Sequence, residues 1–417
     1  MPDLTTHDST TATRAVVARH LDATGAAELV AAPVSDLLNQ VAALPSMSRI
    51  DVYPDITGKT WGFPAGITTV SSGADPIVYP MAVPDVACGF LTVATGIPAF
   101  AWSASRKQEF LDAVVRAISV DSPHRAPVRM DLDAVFAAGA AALPAPAFVR
   151  NETIVEQTTT CVPRPELVLP TARADLAAEA GSVAGHFISL YAAHPMHPDA
   201  DLEPGEVVLV VHTGAPALRE QWLTSHALPM AQMCLDQDLL PPEVIEQGLF
   251  GLPLSHPLAT EFLGLAACAV HWGQANRQLV ANRILHLLTD HAPAPAGQVR
   301  LIRHVGHCCY QVHHTPACAA VTTARGIQPL TVHRDRRQAP APSTFITGGS
   351  HTHAYLVPSP DRKRLSTAGT ARTAHPSGLL STHRPTSPAR RAPIQTPRGP
   401  PMSWPTLGPP ATTSAAT

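Results

Sequence analysis

The chain has 417 residues, of which 45% are hydrophobic, and its formal net charge is −3. This length and composition suit a folded enzyme, and the small net charge excludes a global basic field, so any nucleic-acid contact has to be a local patch. No apolar run is long enough to span a bilayer, and residues 1–13 lack the apolar centre of a signal peptide. The seven cysteines show no disulfide-like spacing, which is typical of a reducing compartment. We therefore expect a cytoplasmic protein with no membrane partner.

Apolar spacing and turn residues predict a mixture of helices and short strands. The N-terminal part of the chain begins with two predicted helices, over 16–32 and 35–43, and an ordered Gly- and Pro-rich loop over 51–66. Three predicted strands follow, over 66–70, 77–83 and 90–95, and then two helices, over 105–118 and 132–143. The next predicted helix covers 172–180 and ends at Gly181, a C-cap signal. It is followed by strands over 186–191 and 207–211, a long helix over 262–288, and strands over 299–305 and 345–346. Because the elements do not alternate regularly, the sequence predicts an α+β fold.

Composition divides the chain into three parts. The polar, Thr-rich residues 1–13 are predicted to be disordered, and residues 14–357 are predicted to form one domain. From Arg362 onward every charged residue is Lys or Arg, and Pro, Ser, Thr and Ala dominate. Such a segment cannot bury enough apolar surface to offset the entropy of ordering it. Residues 358–417 are therefore predicted to be a disordered tail.

A carboxylate and a thiol, Asp85 and Cys88, stand three residues apart in the segment PDVACG over 84–89. Asp and deprotonated Cys are both anionic metal ligands, and a thiolate can bridge two ions. The same spacing also fits a turn Asp that caps backbone amides beside a buried structural Cys. The spacing alone therefore leaves a metal site and a structural turn as alternatives.

Three histidines follow in settings that would hold their rings rigidly. His186 lies in the segment Gly-His-Phe-Ile, His212 follows an all-aliphatic strand, and His307 lies in Gly-His-Cys-Cys. The end of a buried strand is where α/β proteins collect functional groups, which favours His212 as a ligand. A single His on an apolar strand can equally be a hydrogen-bonded core residue, and His307 has other histidines nearby. Together with the Asp–Cys pair, the three histidines form a candidate two-metal site.

Several segments between residues 35 and 357 resemble, in order, motifs of the RtcB family, the tRNA-splicing RNA ligases that join 3′-phosphate and 5′-hydroxyl ends. The segment over 84–89 is similar to the family's metal motif DINCG, and the segment over 132–140 is similar to its LDEVLEEGA helix. The segments over 181–188, 211–214 and 266–277 resemble GGGNHFIE, HSGSR and AANYAWANR, and residues 332–334 and 348–355 resemble parts of HRKGA and PGSMGTASY. The resemblance rests on the fact that these matches occur in the same order along the chain as in the family.

The resemblance implies a set of site residues and a reaction. The implied metal ligands, with the thiolate bridging two manganese ions, are Asp85, Cys88, His186, His212 and His307. Ser350 and Tyr355 would belong to the guanine-nucleotide site. GTP would guanylylate a histidine, the guanylyl group would pass to an RNA 3′-phosphate, and a 5′-hydroxyl would then attack and expel GMP. Two closely spaced divalent ions suit this chemistry because they orient phosphates and neutralise charge on the oxygens that move.

The chain departs from the family pattern at several positions, two of which belong to the family's guanine-nucleotide contacts. Gly185 and Ser189 replace the family's Asn and Glu around the metal His, and Asp335 replaces the Lys of HRKG. The family's SHGAGR segment carries the guanylylated histidine, and the nearest stretch here has Thr367 at that position. Without a histidine acceptor, covalent guanylylation lacks its nucleophile. A frameshifted or truncated reading frame would account for this loss and for the composition of the tail.

Three functions are compatible with these residues. The first is an RNA ligase that uses GTP and manganese on RNA 3′-phosphate (or 2′,3′-cyclic phosphate) and 5′-hydroxyl ends, inactive if the guanylylated histidine is lost. The second is a non-catalytic relative that binds metal and RNA ends, and the third is a metal-dependent phosphohydrolase that activates water. A structural protein with buried histidines and no metal is the simplest alternative.

Overall fold

The computed structural model describes residues 16–19, 34–57, 64–85, 87–149, 159–183, 186–194, 202–291, 299–316, 318–325, 343–346, 354–358 and 379–381. Helices and strands are mixed along this part of the chain without regular alternation, which confirms the predicted α+β class. Within the same residues, no helix is both long and apolar enough to cross a membrane.

In the described residues, the α-helices range from 4 to 35 residues in length and the strands from 2 to 11. The α-helices are α1 (Val34–Ala42), α2 (Ala104–Ile118), α3 (Leu132–Ala138), α4 (Pro170–Glu179), α5 (Arg219–Trp222), α6 (Leu228–Asp236), α7 (Pro242–Glu246) and α8 (Pro257–His291). The strands are β1 (Val16–Arg19), β2 (Met47–Thr57), β3 (Ala65–Gly73), β4 (Ile77–Val78), β5 (Gly89–Pro98), β6 (Phe187–His194), β7 (Glu206–Thr213), β8 (Leu252–Pro253), β9 (Arg300–Gly306), β10 (Cys308–His314), β11 (Ala319–Arg325), β12 (Ser343–Ile346), β13 (Ala354–Pro358) and β14 (Leu379–Ser381).

Most strands belong to two sheets that are joined at residue 307. The first sheet has the order β1-β2-β3-β11-β10, in which β1 is parallel to β2 and the other neighbours are antiparallel. The second sheet has the order β12-β13-β14-β6-β7-β5-β9 and is antiparallel throughout. Strand β9 ends at Gly306 and β10 begins at Cys308, so the chain passes from one sheet to the other at His307.

Helix α8 is the centre around which both sheets pack. Every residue over 262–278 is buried, as expected for a helix whose small and apolar residues cover all of its faces. The first half of the helix, including Phe262 and Trp272, shares a core with the first sheet. The second half, including Val280 and Ile284, packs against the second sheet and α2. The helix thereby fixes the junction between the two sheets.

Two predictions for the N-terminal region are wrong. Residues 16–19, the start of the helix predicted over 16–32, form β1, because β-branched Val16 and Val17 favour strand and β2 offers a main-chain partner. Residues 51–57 of the loop predicted over 51–66 belong to β2. Their pairing with β3 is irregular between Val52 and Thr57, which accommodates Pro54, a residue without an N–H donor. Residues 20–33 and 58–63 lie outside the described residues.

Three other predicted elements differ in extent or burial. The strand over 77–83 is reduced to β4, because Pro80 cannot donate to a ladder and a 3₁₀ turn, Val83–Asp85, follows. The helix over 132–143 ends at Ala138, because Gly139 adopts a φ of 60°. The strand over 186–191 begins at Phe187 and is half-exposed rather than buried. The remaining predicted elements are present with shifts at their ends.

Four residues of the segment 358–417, which is predicted to be disordered, lie in strands of the described structure. Leu379–Ser381 form β14, which pairs with β6 and β13. Composition could not indicate this strand, because it depends on unpaired main-chain groups offered by elements distant in sequence. Strand β13 also includes Pro358, one residue beyond the predicted end of the domain. The rest of the tail and residues 1–13 lie outside the described residues.

Arg303 on β9 is a buried cation. The residue is only 1% exposed, and within the described part of the chain its Nε and Nη1 atoms make no hydrogen bond. Burial lowers the pKa of Arg303 to about 10. Because an unpaired charge in the interior loses its hydration without compensation, this side chain destabilises the fold.

We expect Arg303→Met to raise the free energy of unfolding by about 2 kcal/mol, because methionine occupies a similar volume without a buried charge. The lowered folded-state pKa means that the unfolded chain binds this proton more tightly, so the wild type gains stability as pH rises above about 10. The variant should lack that gain. Urea unfolding at neutral and alkaline pH measures both effects, with the exposed Arg116→Met on α2 as a control. A variant no more stable than wild type would contradict the expectation.

Candidate metal centre

Four of the predicted site residues come from one end of the second sheet. Cys88 immediately precedes β5 and His186 immediately precedes β6, whereas His212 lies near the end of β7 and His307 immediately follows β9. Because β7 is antiparallel to β5 and β6, and β9 is antiparallel to β5, the beginnings of two strands meet the ends of the other two. The topology of the sheet therefore brings together side chains that are far apart in sequence.

The Cys88 thiol faces the His186 ring. Cys88 Sγ lies 3.0 Å from His186 Nε2, and Nδ1 of the same ring lies 3.1 Å from the carbonyl oxygen of Val183. Because a carbonyl oxygen can only accept a hydrogen bond, Nδ1 carries a proton and donates a hydrogen bond to the Val183 carbonyl. The Nε2 lone pair is then available toward Cys88. A backbone carbonyl that fixes the tautomer in this way is typical of metal-ligating histidines.

Cys88, His212 and His307 each bring one ligand atom to a common point. These atoms all lie within 4.8 Å of one another, and the two Nε2 atoms are 3.0 Å apart. Ligand atoms around a tetrahedral ion are separated by roughly 3.3–3.8 Å, so small adjustments of these side chains suffice to hold an ion. The thiol is buried and both imidazoles are half-buried. The cluster is therefore partly accessible from solvent.

Aromatic side chains restrict the rotation of the ligand rings. Phe90 stacks on His212 with a centroid distance of 4.6 Å and meets His307 edge-on at 4.8 Å. Phe187 packs against His212 at 4.7 Å. The His212 and His307 rings are nearly perpendicular, with an interplanar angle of 85°. Rings that are already held in place lose less conformational freedom when they bind an ion.

Backbone hydrogen bonds join the Cys88 segment to the His307 segment. The carbonyl of Cys88 accepts from the N–H of His307 at 2.8 Å, and Ala87 N–H donates to the carbonyl of Cys308 at 3.0 Å. Ala87 has a φ of 67°, and a left-handed residue other than Gly costs about 1–2 kcal/mol. Such strain concentrates at functional sites, where the surrounding structure holds it in place.

Arg277 on α8 ties two ligand segments together. The residue is fully buried, and its Nη1 donates to the carbonyl of Ala87 at 2.9 Å and to the carbonyl of Thr213 at 2.8 Å. One guanidinium nitrogen thus links the residue before Cys88 to the residue after His212. Sequence reasoning gave Arg277 no role beyond a motif match, although an Arg in a mostly apolar helix signals a buried polar contact.

Asp85 is engaged elsewhere. Its Oδ2 accepts hydrogen bonds from Nε and Nη2 of Arg325, at 3.3 and 3.2 Å. Among the described residues, the cluster of ligand atoms contains Cys88, His212 and His307 without this carboxylate. Sequence reasoning missed Arg325, which lies outside the motifs named above and stands 240 residues from Asp85 in the sequence.

Ser350 and Tyr355 are the two residues predicted to contact a guanine nucleotide. Ser350 lies outside the described residues, and Tyr355 lies in β13. Their assignment to nucleotide binding stays a prediction.

Gly214, directly after β7, approaches the thiol closely. A Cβ at this position would lie 2.7 Å from Cys88 Sγ and 3.1 Å from Cys88 N. We therefore expect Gly214→Ala to displace the thiol and to weaken metal binding about tenfold or more. Gly306→Ala is a matched control in the same centre, because among the described residues its Cβ would meet only Cys88 O, at 3.9 Å. Calorimetric titration with Mn²⁺ measures both variants, and equal affinities would contradict the expectation.

The fold and this cluster define a candidate metalloprotein with its centre at the junction of two sheets. One thiolate with imidazole nitrogens suits a divalent transition-metal ion, so the residues present fit a resident metal. A family model described as tRNA-splicing ligase RtcB matches residues 37–359. The match spans most of the chain, so the chain belongs to the RtcB family of RNA ligases, as the resemblance predicted. Among curated proteins, none matches the chain significantly.

Proposed function

We propose that the protein is an RNA ligase that joins RNA 3′-phosphate or 2′,3′-cyclic phosphate ends to 5′-hydroxyl ends, using GTP and manganese in the cytoplasm. The observation that carries the proposal is the convergence of Cys88, His212 and His307 inside the region matched by the family model. The family acts on RNA ends and depends on metal, and the thiol–imidazole cluster offers ligands for a divalent transition-metal ion.

The proposed metal ligands are Asp85, Cys88, His186, His212 and His307, with Ser350 and Tyr355 at the guanine nucleotide. A bound divalent ion would act as a Lewis acid and neutralise charge on phosphoryl oxygens. The chain's own groups prepare the site for it. The Val183 carbonyl fixes the His186 tautomer, Phe90 holds two imidazole rings, and Arg277 fixes the segments on either side. Because both imidazoles are half-buried, the cluster is partly exposed to solvent, from which an RNA end would approach.

A ligation assay tests the proposal. Two RNA oligonucleotides, one with a labelled 3′-phosphate end and one with a 5′-hydroxyl end, are incubated with the protein, Mn²⁺ and GTP. We expect a joined product that requires both Mn²⁺ and GTP and that a Cys88→Ser variant does not form. Oligonucleotides with 3′-hydroxyl and 5′-phosphate ends are the control and should not be joined. Failure of the metal-loaded wild type to join the first pair would refute the proposed reaction.

A non-catalytic function is the second candidate, and Thr367 favours it. This residue stands where the family's guanylylated histidine would fall, and the guanylyl group then has no imidazole acceptor. GTP labelled in its α-phosphate distinguishes the two candidates. A covalent label that survives denaturation supports the ligase. An unlabelled protein that still retains 3′-phosphate RNA on a filter, in the presence of Mn²⁺, supports the non-catalytic binder.

A further inference from the structure

Arg325 is built into the frame of the metal centre. It is the last residue of β11 and pairs with Cys308 of β10. Cys308 in turn donates its N–H to the Cys88 carbonyl and accepts from the Ala87 N–H. The Arg325 side chain is 2% exposed, whereas that of Asp85 is 35% exposed. The register of the sheet therefore holds a buried guanidinium beside the loop that carries the thiol.

The ion pair of Arg325 decides which way the Asp85 carboxylate is turned. Asp85 accepts the Cys88 N–H through its main-chain carbonyl, at 3.0 Å, so the carboxylate and the thiol belong to one tight turn. Arg325 Nε and Nη2 both donate to the same carboxylate oxygen, Oδ2. Charge-assisted hydrogen bonds of this kind are stronger than neutral ones and persist better when one partner is buried. A metal ion bound to this carboxylate would therefore lie close to the guanidinium, whichever oxygen it used.

We propose that Arg325 competes with a second divalent ion for Asp85, so that the centre takes up its two ions with unequal affinity. This inference rests on the metal centre of the proposed function. The first ion binds tightly at Cys88, His212 and His307, whose ligand atoms already converge within 4.8 Å of one another. The second ion binds weakly, because the ion and the buried Arg325 guanidinium carry like charges and repel each other at one carboxylate.

The number and affinity of bound Mn²⁺ ions test this competition. Free Mn²⁺ gives an electron paramagnetic resonance signal in solution that is lost on binding, so a titration of metal-free protein counts the ions and yields both dissociation constants. We expect one tight and one weak ion in the wild type. Arg325→Gln should tighten the second ion at least about tenfold, because it removes the competing charge. Arg325→Lys retains the charge and should keep the second ion weak.

Two further variants separate competition from damage to the fold. Asp85→Asn should abolish the second ion and leave the affinity for the first within about twofold. Arg49→Gln removes another Arg–Asp ion pair of the first sheet, that with Asp51, and should change neither affinity. A second affinity in Arg325→Gln equal to that of wild type, or a first ion lost in Asp85→Asn, would overturn the inference. A wild type that binds no Mn²⁺ at all would instead refute the metal centre of the proposed function.

Discussion

A Cys88→Ser variant is expected to bind a divalent ion at least about a hundredfold more weakly than the wild type. Cys88 supplies the sulfur of the described cluster, and its Sγ lies within 4.8 Å of the ligand nitrogens of His212 and His307. A serine hydroxyl stays protonated at neutral pH, so the variant loses the anionic ligand while the side-chain volume hardly changes. Titration against a chelator of known affinity measures the change.

Two controls show whether that loss is specific to the Cys88 thiol. Cys318 is exposed, and Cys318→Ser should leave metal affinity unchanged. The urea-unfolding midpoint of metal-free Cys88→Ser should lie close to that of the metal-free wild type, which shows that the variant is folded. Retention of wild-type affinity by folded Cys88→Ser would mean that the thiol is a structural residue, as the Asp-x-x-Cys spacing alone also allowed.

Arg277→Met is expected to lower the free energy of unfolding by about 3 kcal/mol or more and to weaken metal binding about tenfold or more. The substitution removes the donor that serves the carbonyls of Ala87 and Thr213. Both carbonyls are then left without this charged partner, and the two segments that carry Cys88 and His212 are no longer linked. Urea unfolding and Mn²⁺ titration of the same preparations measure the two effects.

Arg283→Met is the matched control on the same helix. Arg283 Nη1 also donates to two carbonyls, those of Ala117 and Gly181, but it lies outside the metal cluster. We expect this variant to lose stability as well and to keep its metal affinity. If Arg277→Met and Arg283→Met both lose stability and both keep metal affinity, Arg277 is a structural residue without a positioning role.

Local patterns were sufficient for the elements that carry most of the site. The aliphatic run before His212 and the apolar run after Cys88 identify β7 and β5, and the long apolar stretch around residue 270 identifies α8. These elements are predictable because their burial leaves a periodic or continuous apolar pattern. The candidate ligands were found for a related reason, since few residue types bind metals and each stood beside a strand end.

Contacts between distant segments could not be predicted. His307 becomes distinct from the neighbouring histidines only because the chain changes sheets there, which no local pattern reveals. The ion pair of Asp85 with Arg325 and the two hydrogen bonds of Arg277 depend on strand register and helix packing. Local composition likewise misassigned residues 51–57, because pairing with neighbouring strands outweighed the turn-like sequence.

X-ray absorption spectroscopy of the metal-loaded protein tests the central claim most directly, since it reads the atoms bound to the ion. We predict a coordination shell that contains one sulfur, from Cys88, together with the multiple-scattering pattern of imidazole rings from His212 and His307. The sulfur contribution should disappear in Cys88→Ser. A shell of oxygen atoms alone, or a spectrum that Cys88→Ser leaves unchanged, would show that the Cys88 thiolate does not bind the ion.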